Sequence, residues 1–309
     1  MGATELLFQQ VINGLSLGAV YALLALGFTL VYGILELINF AHFNVFMVGS
    51  FIGMWALQLF GLSGQSEVLT GFALVGVLAF AFFATMLASG VIGVVIKRVA
   101  LRPLRGVPGT AAMITTIGVS YILFNIILLT AGASSQNYPN PMPVVRWDIG
   151  GATLQLREVL IWGISLALMI ALQLFVGRSR LGKAMRATAQ DPEAARMMGV
   201  DVDRVIVTAF FLGSALAGAA ALIFGLYYNF TSFIVGYTAG LRAFTAAVLG
   251  GIGSVPGAMV GGVLIGLIES LGGHFLAVRW ADVIIFSILV LVLVFVPTGL
   301  FGRATPNKS

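Results

Sequence analysis

Two runs in this sequence have the spacing of known chemistry. Gly14-Leu-Ser16-Leu-Gly18 fits the G-x-S-x-G turn that presents a nucleophilic serine. That turn needs a strand-to-helix corner, with an acid and a histidine following it. Here the serine lies inside an apolar helical run, and His42 and His274 are the only histidines in the chain. Gly177-Arg-Ser-Arg-Leu-Gly182-Lys183-Ala184 fits G-x-x-x-x-G-K but ends in alanine. The hydroxyl that would hold Mg²⁺ is missing, so no nucleotide site is expected. Asn229-Phe-Thr231 matches a glycosylation sequon by pattern only. The chain has no cysteine, which removes disulfides, thiol catalysis and cysteine-bound metals. No catalytic residue, metal site or cofactor is expected, and the chain does not read as an enzyme.

The other polar groups are isolated ones inside apolar runs: Glu36, Asn39, His42, Asn44, Asn125, Arg242 and Glu269. Ionisable groups at membrane depth are costly and usually face a cavity or a partner. Glu36 to Asn44 reads either as a solvated turn or as a path-lining turn. Glu269 reads either as a structural partner of Arg242 or as a path residue. Composition puts these groups in a bilayer. The 309 residues are 60% hydrophobic and 9% charged, with mean hydropathy +1.07. Soluble domains carry roughly 25% charged residues. The fold class is therefore an all-α integral membrane protein, a polytopic bundle of eight to nine transmembrane segments in one domain, 1–309. Apolar runs of spanning length fall near 10–32, 39–60, 68–96, 110–132, 158–177, 205–227, 233–252, 257–274 and 281–300. The weakest are 39–60, with Asn39 and His42, and 233–252, with Arg242; either reads as a broken or re-entrant segment. No cleavable leader is expected, because no Lys or Arg precedes the first apolar run.

Loop charge orients the chain. Lys97, Arg98, Arg102 and Arg105 form one basic stretch. Arg178, Arg180, Lys183, Arg186, Arg196 and Arg204 form a second, and Arg303 and Lys308 mark the C-terminus. Twelve of the sixteen basic residues lie in these stretches, which places them in the cytoplasm. The same asymmetry explains the net charge of +5 without nucleic acid. The 133–157 loop, rich in Pro, Gly and Asn, falls outside and reads as ordered, with a short strand or hairpin. Glycine pairs at four-residue spacing, such as Gly14/Gly18 and Gly262/Gly266, predict close helix packing. Residues 250–257 (GGIGSVPG) cannot hold a regular helix, and read as a bend or a tight turn.

The cytoplasmic loop 178–204 is the best-punctuated polar segment. Asp191 has the chemistry of an N-cap, Pro192 suits the first helical position, and Glu193 suits the first turn. Gly199 stops the helix about two turns later. Asp201 or Asp203 then caps the next membrane helix. Met197 and Met198 give this short helix an apolar knob for a partner groove. An interfacial helix lying on anionic lipid is the other reading.

Three stretches resemble the permeases of ATP-binding-cassette (ABC) importers, in particular the branched-chain amino-acid permease family, LivH type. The first is Arg178-Ser-x-x-Gly182-Lys183-Ala184-x-Arg186-Ala187 followed by Asp191-x-x-x-Ala195-x-x-x-Gly199. The second is Tyr32-Gly33-Ile34 leading into Ile38-Asn39-Phe40-Ala41-His42. The third, and the most specific, runs from Ala243 to Ala258. The resemblance covers nearly the whole chain. It departs after His42, where the family commonly has Gly-Glu and this chain has Phe43-Asn44.

The resemblance implies a second related permease subunit, two cytoplasmic ABC ATPase subunits and an extracytoplasmic substrate-binding protein around a bacterial inner membrane. It implies that Gly182, Arg186, Asp191, Pro192, Glu193, Ala195, Met198 and Gly199 couple the permease to the ATPase. Glu36, Asn39, His42, Asn44 and Glu269 are the candidates for the translocation path. Branched-chain amino acids lead as solute; urea, short amides and small aromatic acids are carried by relatives of this architecture. A rival class is a secondary transporter driven by a proton or ion gradient, with Glu36, His42 and Glu269 as relay groups.

Overall fold

The computed structural model describes residues 2–63, 68–104, 109–276, 278–296 and 298–302. Arg105, Arg303 and Lys308 lie outside the described residues. Each expected span holds a helix: α1 (Ala3–Leu35), α2 (Ala41–Gln58), α3 (Gly71–Val95), α4 (Gly109–Ala131), α5 (Leu156–Arg178) and, after two short helices, α6 (Arg180–Gln190) and α7 (Pro192–Met197), then α8 (Val202–Tyr228), α9 (Val235–Gly250), α10 (Val255–Phe275) and α11 (Ala281–Phe295). In hydrocarbon, backbone groups find partners only within the protein, and a helix satisfies its own. Among the described residues six helices are long and apolar enough to cross a membrane: α1, α3, α4, α5, α8 and α10. The helices α2, α9 and α11 are shorter, at 18, 16 and 15 residues. Length and composition single out six helices and do not by themselves confirm the eight or nine segments expected.

The bundle has a centre and a wall. In α1, 89% of the most apolar window is buried within the protein, and in α8 72%. In α4 and α5 the shares are 17% and 22%, so their apolar side chains face outward, where lipid is the natural solvent. The central seam joins α1 to α10. A Cβ added at Gly18 would stand 2.7 Å from the Cα of Val263, and one at Gly262 would stand 2.3 Å from the Cα of Ala22. The expected glycine pairs are thus the contact itself, because any larger side chain would push two backbones apart.

Two interruptions shape the bundle. The chain leaves α1 at Leu35, and α2 begins beside the middle of α4, where Phe40 N donates to Thr116 Oγ at 3.2 Å. Residues 36–40 between them are not helical. Of the run 250–257, residues 251–254 form a tight turn between α9 and α10, while Val255–Gly257 already belong to α10. Gly251 and Gly253 hold φ of 101° and 92°, and Ser254 Oγ accepts from Gly257 N at 3.2 Å to start α10. The tail folds back onto this turn: Leu300 N donates to Leu249 O at 2.9 Å and Phe301 N to Gly250 O at 3.0 Å.

Four short strands lie at the other end of α8. β1 (Gln136–Asn137) pairs antiparallel with β4 (Phe230–Thr231), and β2 (Arg146–Ile149) with β3 (Ala152–Gln155). The β2–β3 turn is Gly150-Gly151, with φ of 61° and 83°. Two consecutive positive φ values suit a two-residue hairpin and favour glycine. The 133–157 loop therefore holds the expected hairpin.

Candidate functional site

The corner between α5 and α8 is built residue by residue. Ser179 Oγ accepts from Gly182 N at 2.8 Å and caps α6. A Cβ at Gly182 would lie 2.4 Å from the carbonyl oxygens of Phe175 and Val176, so α6 turns tightly under the end of α5. The Arg186 guanidinium donates back to the carbonyls of Val176 and of Gly177, the latter at 3.2 Å. These are carbonyls that a helix end leaves without partners. Gly182 and Arg186 therefore fix a joint and hold no phosphate loop. Asp191 Oδ1 accepts from Glu193 N at 2.9 Å and Ala194 N at 3.0 Å, and Pro192 follows at the helix start. Ala195 is buried, while Met197 and Met198 are 88% and 84% exposed. Gly199 closes the helix at φ 83°, and Asp201 caps α8 through Arg204 N at 3.0 Å. The expected capped helix is present as α7, and Asp201 rather than Asp203 provides the next cap. Asp203 instead pairs with Lys97, which is buried at the end of α3.

Sequence reasoning missed α6 as a separate helix. Its signal was present: Leu181, Met185 and Thr188 face inward, and Arg180, Lys183 and Arg186 alternate with them at helical spacing. Met185 and Thr188 are buried, and α6 rests against α1 and α8. It braces α7 against the bundle.

The path candidates separate into two places. Glu36 is an exposed left-handed cap of α1 (φ 53°), its N donating to Tyr32 O at 2.8 Å. Asn39, His42 and Asn44 gather at the start of α2 and are buried. Asn39 Oδ1 and His42 Nε2 have no hydrogen-bond partner among the described residues. The His42 ring stands edge-on to Phe28, centroids 4.5 Å apart. Asn44 Nδ2 donates to Ser120 O at 2.8 Å and to Ser120 Oγ at 2.6 Å, tying α2 to α4. Phe43 packs edge-on to Phe28 at 5.1 Å. It fills a notch that glycine leaves in α9: a Cβ at Gly240 would meet its ring at 2.4 Å. Phe43-Asn44 is thus an interlocked pair.

Glu269 sits elsewhere. Its Oε1 is 2.6 Å from Arg242 Nη1. The same guanidinium reaches Asp282 at 2.8 Å and donates through Nη1 to Tyr21 Oη at 3.2 Å. Pairing with Arg242, one of the two readings of Glu269, is what the geometry holds. Asp282 was missed, although an acid opening the apolar run of α11 was the available signal. No hydrogen bond among the described residues joins Glu36, His42 and Glu269 into a relay. Ser16 is no nucleophile: its Oγ donates to Ile12 O at 3.0 Å and accepts from Trp162 Nε1 at 3.0 Å.

At the end of the bundle away from α7, a cavity of about 610 Å³ opens beneath the hairpin. Tyr138 forms its floor, with 2% of its surface exposed. Its ring is wedged where a Cβ at Gly225 would lie 2.2 Å away, and its Oη where one at Gly53 would lie 2.4 Å away. Burial pushes the Tyr138 phenol well above its ordinary range.

Known proteins resemble this chain along its length. Residues 10–293 match the family model described as branched-chain amino acid transport system / permease component. The high-affinity branched-chain amino acid transport system permease protein BraD of Pseudomonas aeruginosa is 40% identical over 304 residues, 97% of each chain. The LivH permease protein of the corresponding system of Escherichia coli (strain K12) is 39% identical over 305 residues, again 97% of each. More distant is the autoinducer 2 import system permease protein LsrC of Yersinia pseudotuberculosis, 27% identical over 80% of this chain and 68% of its own. A match of this extent to the model and to two full-length relatives shows that the chain belongs to the family of branched-chain amino acid transport system permease components.

Proposed function

We infer that this chain is the membrane-crossing permease subunit of an ABC importer that carries branched-chain amino acids inward by alternating access. It works beside a second related permease, two cytoplasmic ATPase subunits and an extracytoplasmic binding protein. The chain is a transport component and not an enzyme; ATP is hydrolysed on its partners. The observation that carries the reading is α7. A capped helix of six residues, braced by α6, presents two methionines outward at a cytoplasmic corner, the form of a knob that enters a partner groove. Closure of the ATPase dimer pushes α7, and α6 passes the push to α1 and α8.

In this reading nine segments cross, with α2, α9 and α11 as the short ones. The start of α1 lies on the hairpin side, where Gln9 Oε1 accepts from Thr153 N at 2.8 Å, so the N-terminus is outside and the C-terminus cytoplasmic. The bilayer covers α4 and α5. Asn39 and His42, with their unpartnered polar atoms, line the moving part of the path. Glu269 holds Arg242 in place.

The test is transport by the reconstituted complex in proteoliposomes. Loaded binding protein is expected to stimulate ATP hydrolysis and to drive leucine uptake. Uptake that requires a proton gradient and no ATPase would sink the reading in favour of a secondary transporter. Met198→Asp with Gly199→Pro removes the knob and demands a φ that proline cannot adopt. That variant should insert normally and lose the ATPase in a pull-down; normal recovery of the ATPase would refute the role of α7.

A further inference from the structure

Lys97 is buried where a lysine ordinarily reaches for water. A long basic side chain at the end of a membrane helix extends its charge to the interface. Arg98, Val99 and Arg102 beside it are exposed. The Lys97 side chain is only 4% exposed, and its ammonium pairs with Asp203 Oδ1. The loop-charge asymmetry explains a lysine at this end of the bundle and does not explain its burial. The backbone is unusual at the same point: after α3, residues Ile96–Leu101 form a π-helical turn, with Arg102 N donating to Lys97 O. Single π-turns are rare and recur at functional sites.

The pair closes a seam. Thr85, Ser89 and Gly93 lie at four-residue spacing on α3 and are buried, and Lys97 is the next position on that stripe. The stripe faces α8. A Cβ at Gly93 would stand 2.7 Å from Phe210 O, and one at Gly218 would stand 2.7 Å from Thr85 O. The two backbones are in close contact there. At the cytoplasmic end the side chains of Lys97 and Asp203 take over. Asp203 lies in the first turn of α8, where a carboxylate suits the helix dipole. Residues 198–201 alone separate that turn from α7, and Val200 N donates back to Ala195 O at 3.0 Å. A buried ion pair is weak evidence for stability, because well-packed apolar residues of similar volume often do as well. What it supplies is a fixed register between two helices.

We propose that Lys97 is a positioning residue for coupled transport: its ion pair makes the end of α3 follow the first turn of α8, and so follow α7. This rests on the importer reading above, in which α6 passes the push to α1 and α8. The Lys97–Asp203 pair adds a second route, into α3. Without it the push still reaches α8, but the end of α3 does not follow, and ATP is hydrolysed with less transport.

The experiment uses the assembled transporter in proteoliposomes with loaded binding protein, and reads leucine carried per ATP hydrolysed. Lys97→Met keeps the apolar stem and removes the ammonium. Asp203, whose side chain is 42% exposed, then finds water, so the fold stands. The ratio is expected to fall about fivefold or more, the lower end of coupling between sites, while a pull-down recovers the ATPase normally. Lys97→Arg should keep most of the ratio. The chain has no cysteine, so Val99→Cys supplies a single thiol on the π-turn for a fluorophore. Its emission should shift when ATP and vanadate trap the ATPase, with Lys97 in place or with Lys97→Arg, and should not shift with Lys97→Met. Should Lys97→Met fail to give monodisperse protein, Asp203→Asn carries the same expectations. A wild-type ratio in the folded variant, or an emission shift that survives loss of the pair, overturns the proposal. Failure of the importer reading shows in the wild type alone, as absence of any stimulation of ATP hydrolysis by loaded binding protein, and it removes this proposal too.

Discussion

Replacing Arg242 by methionine isolates the charge cluster among α1, α9, α10 and α11. Methionine keeps the length of the apolar stem and removes the guanidinium. Asp282 has 57% of its side chain exposed and finds water instead; its pair with Arg242 contributes no more than about 1 kcal/mol. Glu269 has 12% exposed and is left as an uncompensated carboxylate in apolar surroundings. Breaking one side of a buried pair destabilises by roughly 3–5 kcal/mol. The partial exposure of this one puts Arg242→Met near the lower end, about 3 kcal/mol. Glu269→Gln should cost less, since Arg242 keeps Asp282 and Tyr21. The double variant should recover much of the loss, for a coupling of about 2 kcal/mol, within the range for residues in one network. Unfolding by SDS titration in mixed micelles, with the four proteins side by side, measures it. Additivity of the two single changes within about 0.5 kcal/mol would refute the pairing.

Tyr138 gives a sharp contrast. Its Oη has no hydrogen-bond partner among the described residues, so Tyr138→Phe should be neutral or stabilising, whereas Tyr138→Ala empties the slot and should cost about 3–5 kcal/mol in the same titration. The phenol is held protonated when folded, so its contribution is intact below about pH 10 and is lost as pH rises above that; Tyr138→Phe should remove that part of the alkaline loss. Gly262→Val drives a side chain into the α1 backbone and should destabilise by about 3 kcal/mol or more, read as lost monodisperse protein on gel filtration. Asp191→Ala should cost about 1 kcal/mol of local stability and show faster amide exchange at Glu193 and Ala194 with the rest of the bundle unchanged.

What the sequence made legible was local. The Asp191 cap, the Gly199 stop and the Gly150-Gly151 turn region depend on a few neighbouring residues, and their chemistry is the same in any fold. The α1–α10 glycine seam was visible as spacing, but its partner helix was not, because spacing on one helix names no face on another. Glu269 was ambiguous for the same reason: only the bundle brings Arg242 and Asp282 to it across forty residues of sequence. Phe43-Asn44 read as a departure from the family, and its meaning lay in Gly240 and Ser120, far along the chain. The long spans were plain from hydropathy, while α2 and α9 were not, because buried helices that pack on protein need neither the length nor the uniform apolarity that lipid demands.

The tail that folds back onto the α9–α10 turn bears on how the chain is made. A helix end leaves its last carbonyls without donors, and here two of them, on Leu249 and Gly250, wait for the amides of Leu300 and Phe301. Each donor lies 51 positions beyond its acceptor. At roughly 5–20 residues per second, several seconds of synthesis pass before the ribosome delivers them. The turn is therefore finished last, after α10 and α11 have been made, and a stop codon before Leu300 would yield a chain with all the helices described above and an open hinge between two of them.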